Sequence, residues 1–142
     1  MAKQTMTTDI EALAERTQLE HKARLVFDHW RTVMNSPHTN LSPDRKEVII
    51  DRLREGWTVG ELKYAIDGCA SSNFHMGQND RQAVYNQITI IFRDTEHVER
   101  FIRYAEVKGK PRYTPEGALQ TQAEETTQAW RRSEKTSSEV SQ

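Results

Sequence analysis

Seven apolar positions near the start of the chain restrict its fold more than any other feature: Leu19, Ala23, Val26, Phe27, Trp30, Val33 and Met34. They recur at i, i+4, i+7, i+8, i+11, i+14 and i+15, which is one face of an α-helix and does not fit the two-residue period of a strand. A helix with so wide a stripe must bury it against other elements, so helices packing on helices are expected. This first helix is predicted from about Thr8 to Met34. Upstream, Ile10, Leu13 and Ala14 make a weaker stripe that points in another direction. Residues 8–18 therefore read as an extension of the helix, either frayed or held by a partner.

Further elements announce themselves by their ends. Asn35 to Asn40 is a loop by composition. Ser42-Pro43-Asp44 then starts a second helix: Ser42 caps, Pro43 takes the first turn and Asp44 faces the positive helix end. Val48, Ile49, Ile50 and Leu53 supply its buried face, and Gly56 ends it in a left-handed conformation. Trp57 to Leu62 is the clearest local signal. Thr58 and Glu61 form a capping box, with Trp57 and Leu62 at the two positions of a hydrophobic staple. A third helix follows with Leu62, Ala65, Ile66 and Cys69 inward, its last turn weakened by Gly68.

Residues 70–79 form a polar loop with one aromatic anchor, Phe74. Asn79 with Gln82 resembles another cap, after which Val84, Tyr85, Ile88, Ile91 and Phe92 keep helical period. The run Ile88 to Phe92 alone would pass for a buried strand, but the longer window favours a helix and no second strand exists to pair with it. Asp94 or Thr95 caps the last helix, whose inner face is Val98, Phe101, Ile102 and Ala105. From Gly109 the pattern stops. Residues 109–142 are rich in Thr, Gln, Glu and Ser, and such a segment cannot bury enough surface to offset its ordering entropy. The expectation is an all-α fold: a small orthogonal bundle of about five helices with a long N-terminal helix and a disordered C-terminal tail. Its parts are an N-terminal extension (1–18), a helical domain (19–108) and the tail (109–142). Trp30, Trp57, Phe92 and Phe101 are expected in the core.

Chemistry is sparse. A formal net charge of -1 gives no global signal for nucleic acid or membrane. The single cysteine, Cys69, excludes an intrachain disulfide and fits a reducing compartment. No run reaches the length of a signal peptide core or a membrane span, so a cytoplasmic protein is expected. The histidines at 21, 29, 38, 75 and 97 make no His-x-x-x-His pair, and two residues such as Cys69 and His75 do not make a zinc site. No nucleophile elbow and no phosphate loop is found. Most carboxylates sit beside Lys or Arg on helix exteriors, as with Asp44, Glu47, Asp51 and Glu55. No catalytic residue, metal or cofactor is expected, and the chain reads as a binding module.

One local bias stands out. Arg100, Arg103, Lys108, Lys110 and Arg112 face only Glu106, with Tyr104 and Tyr113 among them. Cations that follow phosphates and rings that stack on bases suit a single strand, although a basic end is also what a helix dipole favours. Arg100, Arg103, Tyr104, Lys108, Lys110 and Arg112 are the candidate DNA contacts. Asn73, His75 and Gln78 in the polar loop, with Trp130 beside Arg131-Arg132, are candidate partner contacts. Trp130 reads equally as an interface anchor or as a stray residue in the tail.

The runs Leu25-Val-Phe-Asp-His-Trp30, Leu41-Ser-Pro-Asp-Arg-Lys46, Ile50-Asp-Arg-Leu-Arg-Glu-Gly-Trp-Thr58 and Glu61-Leu-Lys-Tyr-Ala-Ile-Asp67 resemble the DnaD-like C-terminal domain of phage replisome organisers and helicase loaders. Ile91-Phe92 and Glu99-Arg-Phe-Ile-Arg-Tyr104 are similar to its end. The resemblance spans about residues 25–105. It implies a helical bundle that helps place the replicative helicase on DNA, touching the helicase, single-stranded DNA, or both. The N-terminal winged helix and the tryptophan-bearing DNA-binding tail motif of that family have no counterpart here, which moves weight towards protein contact. The implied partners are the replicative helicase and single-stranded DNA, with no membrane, and a homo-oligomer through the N-terminal helix remains open. The alternative is a small phage regulatory or inhibitory protein that binds a host replication protein without binding DNA. A loader would support helicase loading and an inhibitor would block it.

Overall fold

The fold was obtained as a computed structural model that describes the backbone of residues 2–120 and the side chains of residues 9–120. Five helices follow one another among these residues: α1 (Ala2–Val33), α2 (Pro43–Arg54), α3 (Val59–Ala70), α4 (Ile88–Ile91) and α5 (Thr95–Val107). No strand is present among them. Two isolated antiparallel bridges, Met76 with Val84 and Tyr113 with Leu119, close loops. The all-α expectation therefore holds, with α1 starting earlier than its apolar pattern does.

The ends form where the capping residues place them. Ser42 accepts the Arg45 N–H with Pro43 in the first turn, and Gly56 takes a φ of 108° past the end of α2. At Thr58 both halves of the capping box are made: Thr58 Oγ1 accepts from the Glu61 N–H, and Glu61 Oε1 accepts from the Thr58 N–H. Asp94 caps α5 through the His97 N–H at 2.8 Å.

Helix α3 is the centre of the bundle and packs on both α1 and α5. Its closest neighbour is α5, and Gly68 shows why. A Cβ there would lie 1.7 Å from the Phe101 carbonyl oxygen. The glycine that weakens α3 on propensity grounds thus lets two backbones meet. Phe27, Phe92, Phe101, Ile49, Ile50, Leu62 and Ile66 are fully buried around this contact, and Cys69 lies among them. Burial pushes the Cys69 thiol up to about 12, so it is a small core residue and not a nucleophile. Trp30 is buried with its indole N–H on the Asn86 carbonyl at 2.7 Å. Trp57 is only half-buried, because its indole N–H turns outward to Thr95 Oγ1.

Two expectations are corrected. The helix expected from Asn79–Gln82 to Phe92 contracts to the single turn α4. The Asn79 side chain supplies the reason: its Oδ1 accepts from Arg81 N–H and Ala83 N–H, and its Nδ2 donates to the Phe74 and Ala83 carbonyls. Gln82 is left-handed at φ 50°, and the Tyr85 N–H bonds the His75 carbonyl. Side-chain bonds to the backbone have outcompeted the helix ladder. The boundary at Gly109 also moves. Residues 109–120 form a strap that turns back on itself, with Thr114 N–H to Ala118 C=O at 2.7 Å and Gln120 N–H to Arg112 C=O at 3.0 Å. The remainder of the expected tail, Trp130 included, lies outside the described residues.

Candidate functional site

The strap is fastened to α3 by polar contacts. The Tyr113 hydroxyl donates to Asp67 Oδ2 at 2.6 Å, and His29 Nε2 lies 2.8 Å from Asp67 Oδ1, so one carboxylate joins α1, α3 and the strap. Burial, reinforced by the bond to Asp67, raises the Tyr113 phenol above its ordinary value. The Tyr64 hydroxyl donates to the Lys110 carbonyl, and Lys63 Nζ to the Gly117 carbonyl at 2.7 Å. Gly60 admits the strap, since a Cβ there would stand 2.0 Å from the Thr114 carbonyl oxygen. His29, Asp67 and Tyr113 sit close enough to suggest a catalytic cluster. The Asp67 and His29 side chains are only 13% and 17% exposed, and Asp67 bonds His29 Nε2 with one oxygen and the Tyr113 hydroxyl with the other. The cluster is a clasp.

The clasp divides the candidate DNA contacts. Arg112 stands over the Tyr64 ring at 5.0 Å and 3.7 Å from Glu106 Oε2. Lys110 lines a shallow depression beside the same residues, Tyr64, Glu106 and Arg112. Arg103, Tyr104 and Lys108 instead line a groove of about 390 Å³ formed with Ser71, Ser72, Asn73 and Val107. Arg103 also borders a second groove of about 370 Å³, shared with Trp57, Tyr64, Glu99, Glu106 and Arg112. The basic run that is continuous in sequence therefore falls into two groups in space, Arg103, Tyr104 and Lys108 in one and Lys110 and Arg112 in the other, with Arg103 bordering a groove of each.

The first group meets the polar loop. His75 packs edge-on to Phe101 with centroids 4.9 Å apart and lies 6.0 Å from the Tyr104 ring. Phe74 is 55% exposed and stacks on Tyr85 at 5.8 Å with planes 17° apart. Desolvation, with the positive charges of Arg100 and then His97 nearby, lowers the His75 pKa from its ordinary value. Its Nδ1 lies 2.7 Å from Ser72 Oγ. The imidazole is thus neutral near pH 7 and behaves as one more ring of an aromatic cluster. Of the residues singled out from sequence, Asn73, His75, Arg100, Arg103, Tyr104 and Lys108 share this face. Gln78 lies on the same loop, its N–H bonded to the Asn73 carbonyl. Exposed Phe74 and half-buried Tyr85 carry the stack. Phe74 is legible as the one aromatic of its loop, but no local signal announces Tyr85, because the loop bonds of Asn79 and His75 bring it there.

Among the described residues no three His, Cys, Asp or Glu side chains come together as a metal site. No helix among them is long and apolar enough to cross a membrane. No protein-family model matches the sequence, and no curated protein or solved structure is significantly similar to it.

Proposed function

We propose that this chain is a non-enzymatic adaptor of phage or prophage DNA replication that brings the replicative helicase to single-stranded DNA. The observation that carries this reading is the groove that holds Arg103, Tyr104 and Lys108, with Arg100 close to His75 and with exposed Phe74 stacked on half-buried Tyr85 in the adjoining loop. Cations spaced along a groove attract a phosphate backbone without reading sequence, and ring faces accept any base. The similarity of residues 25–105 to helicase-loader domains supports the replication context and the helicase as the protein partner. The loop carrying Asn73, His75 and Gln78 is the surface offered to it.

Fluorescence anisotropy with a labelled oligothymidylate tests the DNA contact. Binding at low salt is expected. Arg103→Ala and Lys108→Ala should each reduce the slope of log K against log salt by about 0.7, the single-strand value for one phosphate contact. Phe74→Ala should cost about 1–3 kcal/mol of binding. Arg112→Ala should matter less, because Arg112 is engaged by Tyr64 and Glu106. Gel filtration with the replicative helicase tests the other half. Absence of both strand binding at low salt and co-migration with the helicase would sink the reading, while co-migration alone would leave the non-DNA-binding regulator.

A further inference from the structure

Helix α1 has a second face that the bundle does not use. Its buried side is Leu19, Ala23, Val26, Phe27 and Trp30. Ile10, Ala14, Thr17, His21 and Leu25 recur every three or four residues on the roughly opposite side, which at 100° per residue points straight out to solvent. All five are exposed, Ile10 at 64% and Leu25 at 36%, and Leu13 on their flank is 68% exposed. Small residues at Ala14 and Thr17 leave the middle of this stripe low enough for another helix backbone to approach.

The charges beside the stripe are segregated. Glu11 flanks its N-terminal half, and Lys22 and Arg24 flank its C-terminal half. Glu15 and Arg24 have partners within the chain, Arg54 and Asp28, but among the described residues Glu11 and Lys22 form no ion pair. A surface whose first half complements its second half fits itself when turned round.

We propose that α1 pairs antiparallel with α1 of a second copy of this chain about a two-fold axis near Thr17 and Gln18. In that register Ile10 of each copy meets Leu25 of the other, and Ala14 meets His21. Glu11 lies opposite Lys22, so the swap of partners makes that ion pair twice. Leu13 covers the aliphatic stem of Arg24. The interface is isologous and closes at two copies, as a two-fold contact must. The N-terminal half of the face lies on the side of α1 opposite its core stripe, while His21, Lys22 and Leu25 in its C-terminal half border a groove shared with Leu53, Val59 and Pro115. A polar residue at a seam position, here His21, fixes register at some cost in stability.

Sedimentation velocity of the full chain tests the pairing. A concentration-dependent shift from monomer to dimer is expected between about 1 and 100 µM, the range that reads a dissociation constant of roughly micromolar order. Leu25→Asp should abolish the shift without changing the helical signal or the thermal midpoint, because Leu25 lies outside the core cluster. Glu11→Lys or Lys22→Glu should weaken the dimer about tenfold, one unit of 1.4 kcal/mol. The double exchange Glu11→Lys with Lys22→Glu should restore it. Register is read separately by disulfide trapping, for which the buried Cys69 is no competitor. Thr17→Cys should crosslink two copies, and Ile10→Cys should not, since the two positions 10 would lie about 20 Å apart at 1.5 Å per residue. A chain that stays monomeric throughout that range, a double exchange that fails to restore pairing, or efficient crosslinking through position 10 would each overturn the proposal. None of these readouts depends on DNA or helicase binding.

Discussion

Asp67 illustrates how one side chain can hold three segments. It accepts from Tyr113 of the strap on one oxygen and meets His29 of α1 on the other. Tyr113→Phe removes one of these bonds while keeping the ring, and a buried hydrogen bond of this kind contributes about 1–2 kcal/mol. The strap should then open about 5–30 times more often, measurable as faster limited proteolysis between residues 109 and 120 with unchanged helical content. His75 supplies a pH dependence. Its folded pKa is lowered, so the unfolded chain takes up the proton first as pH falls. The contribution is fully present above the ordinary histidine value, about 6.5, and is lost as pH drops from there towards the folded value. Urea midpoints should therefore fall between pH 7.5 and 5.5, and His75→Gln should flatten that part of the profile.

At the level of the helices, two glycines on α3 make opposite predictions. Gly68→Ala places a methyl against the Phe101 carbonyl, and α5 must move away from the centre of the core. A loss of about 3 kcal/mol, in the upper range for overpacking, is expected in urea unfolding. At Gly60→Ala the nearest atoms met by the methyl all belong to the strap, the Thr114 carbonyl and the Tyr113 Cβ. The strap should undock, while α3 itself gains up to about 1 kcal/mol of helix propensity. Loss of proteolytic protection in residues 109–120 with no fall in thermal midpoint would be the signature. The caps of α2, α3 and α5 were legible in sequence because Ser42, Thr58 with Glu61, and Asp94 act on their own first turns. The short α4 was not, because helical spacing at Val84, Tyr85 and Ile88 says nothing about Asn79 bonding across its loop.

For the whole molecule, the apolar count of a segment proved a poor guide to whether it is placed. Residues 109–120 contribute no side chain to the core cluster, and composition alone assigns them to the tail. They are held instead by Tyr113, by backbone groups and by close approaches at Gly60 and Gly117, each to residues more than fifty positions away in the chain. The candidate site divided the same way. Arg100, Arg103, Tyr104 and Lys108 could be picked out with Lys110 and Arg112 because cations and tyrosines crowd one short run of the chain. Their separation from Lys110 and Arg112 could not, since it depends on where the strap crosses α3.

A segment fixed by hydrogen bonds at the edge of a core closed without it has its own opening equilibrium. The amides of Thr114, Gly117 and Gln120 should exchange with deuterium through local excursions, at rates insensitive to mild denaturant. Those of Leu62, Ile66 and Cys69 should await global unfolding. The molecule would then answer a hydrogen-exchange experiment as two cooperative units of very different lifetime, although it has a single interior.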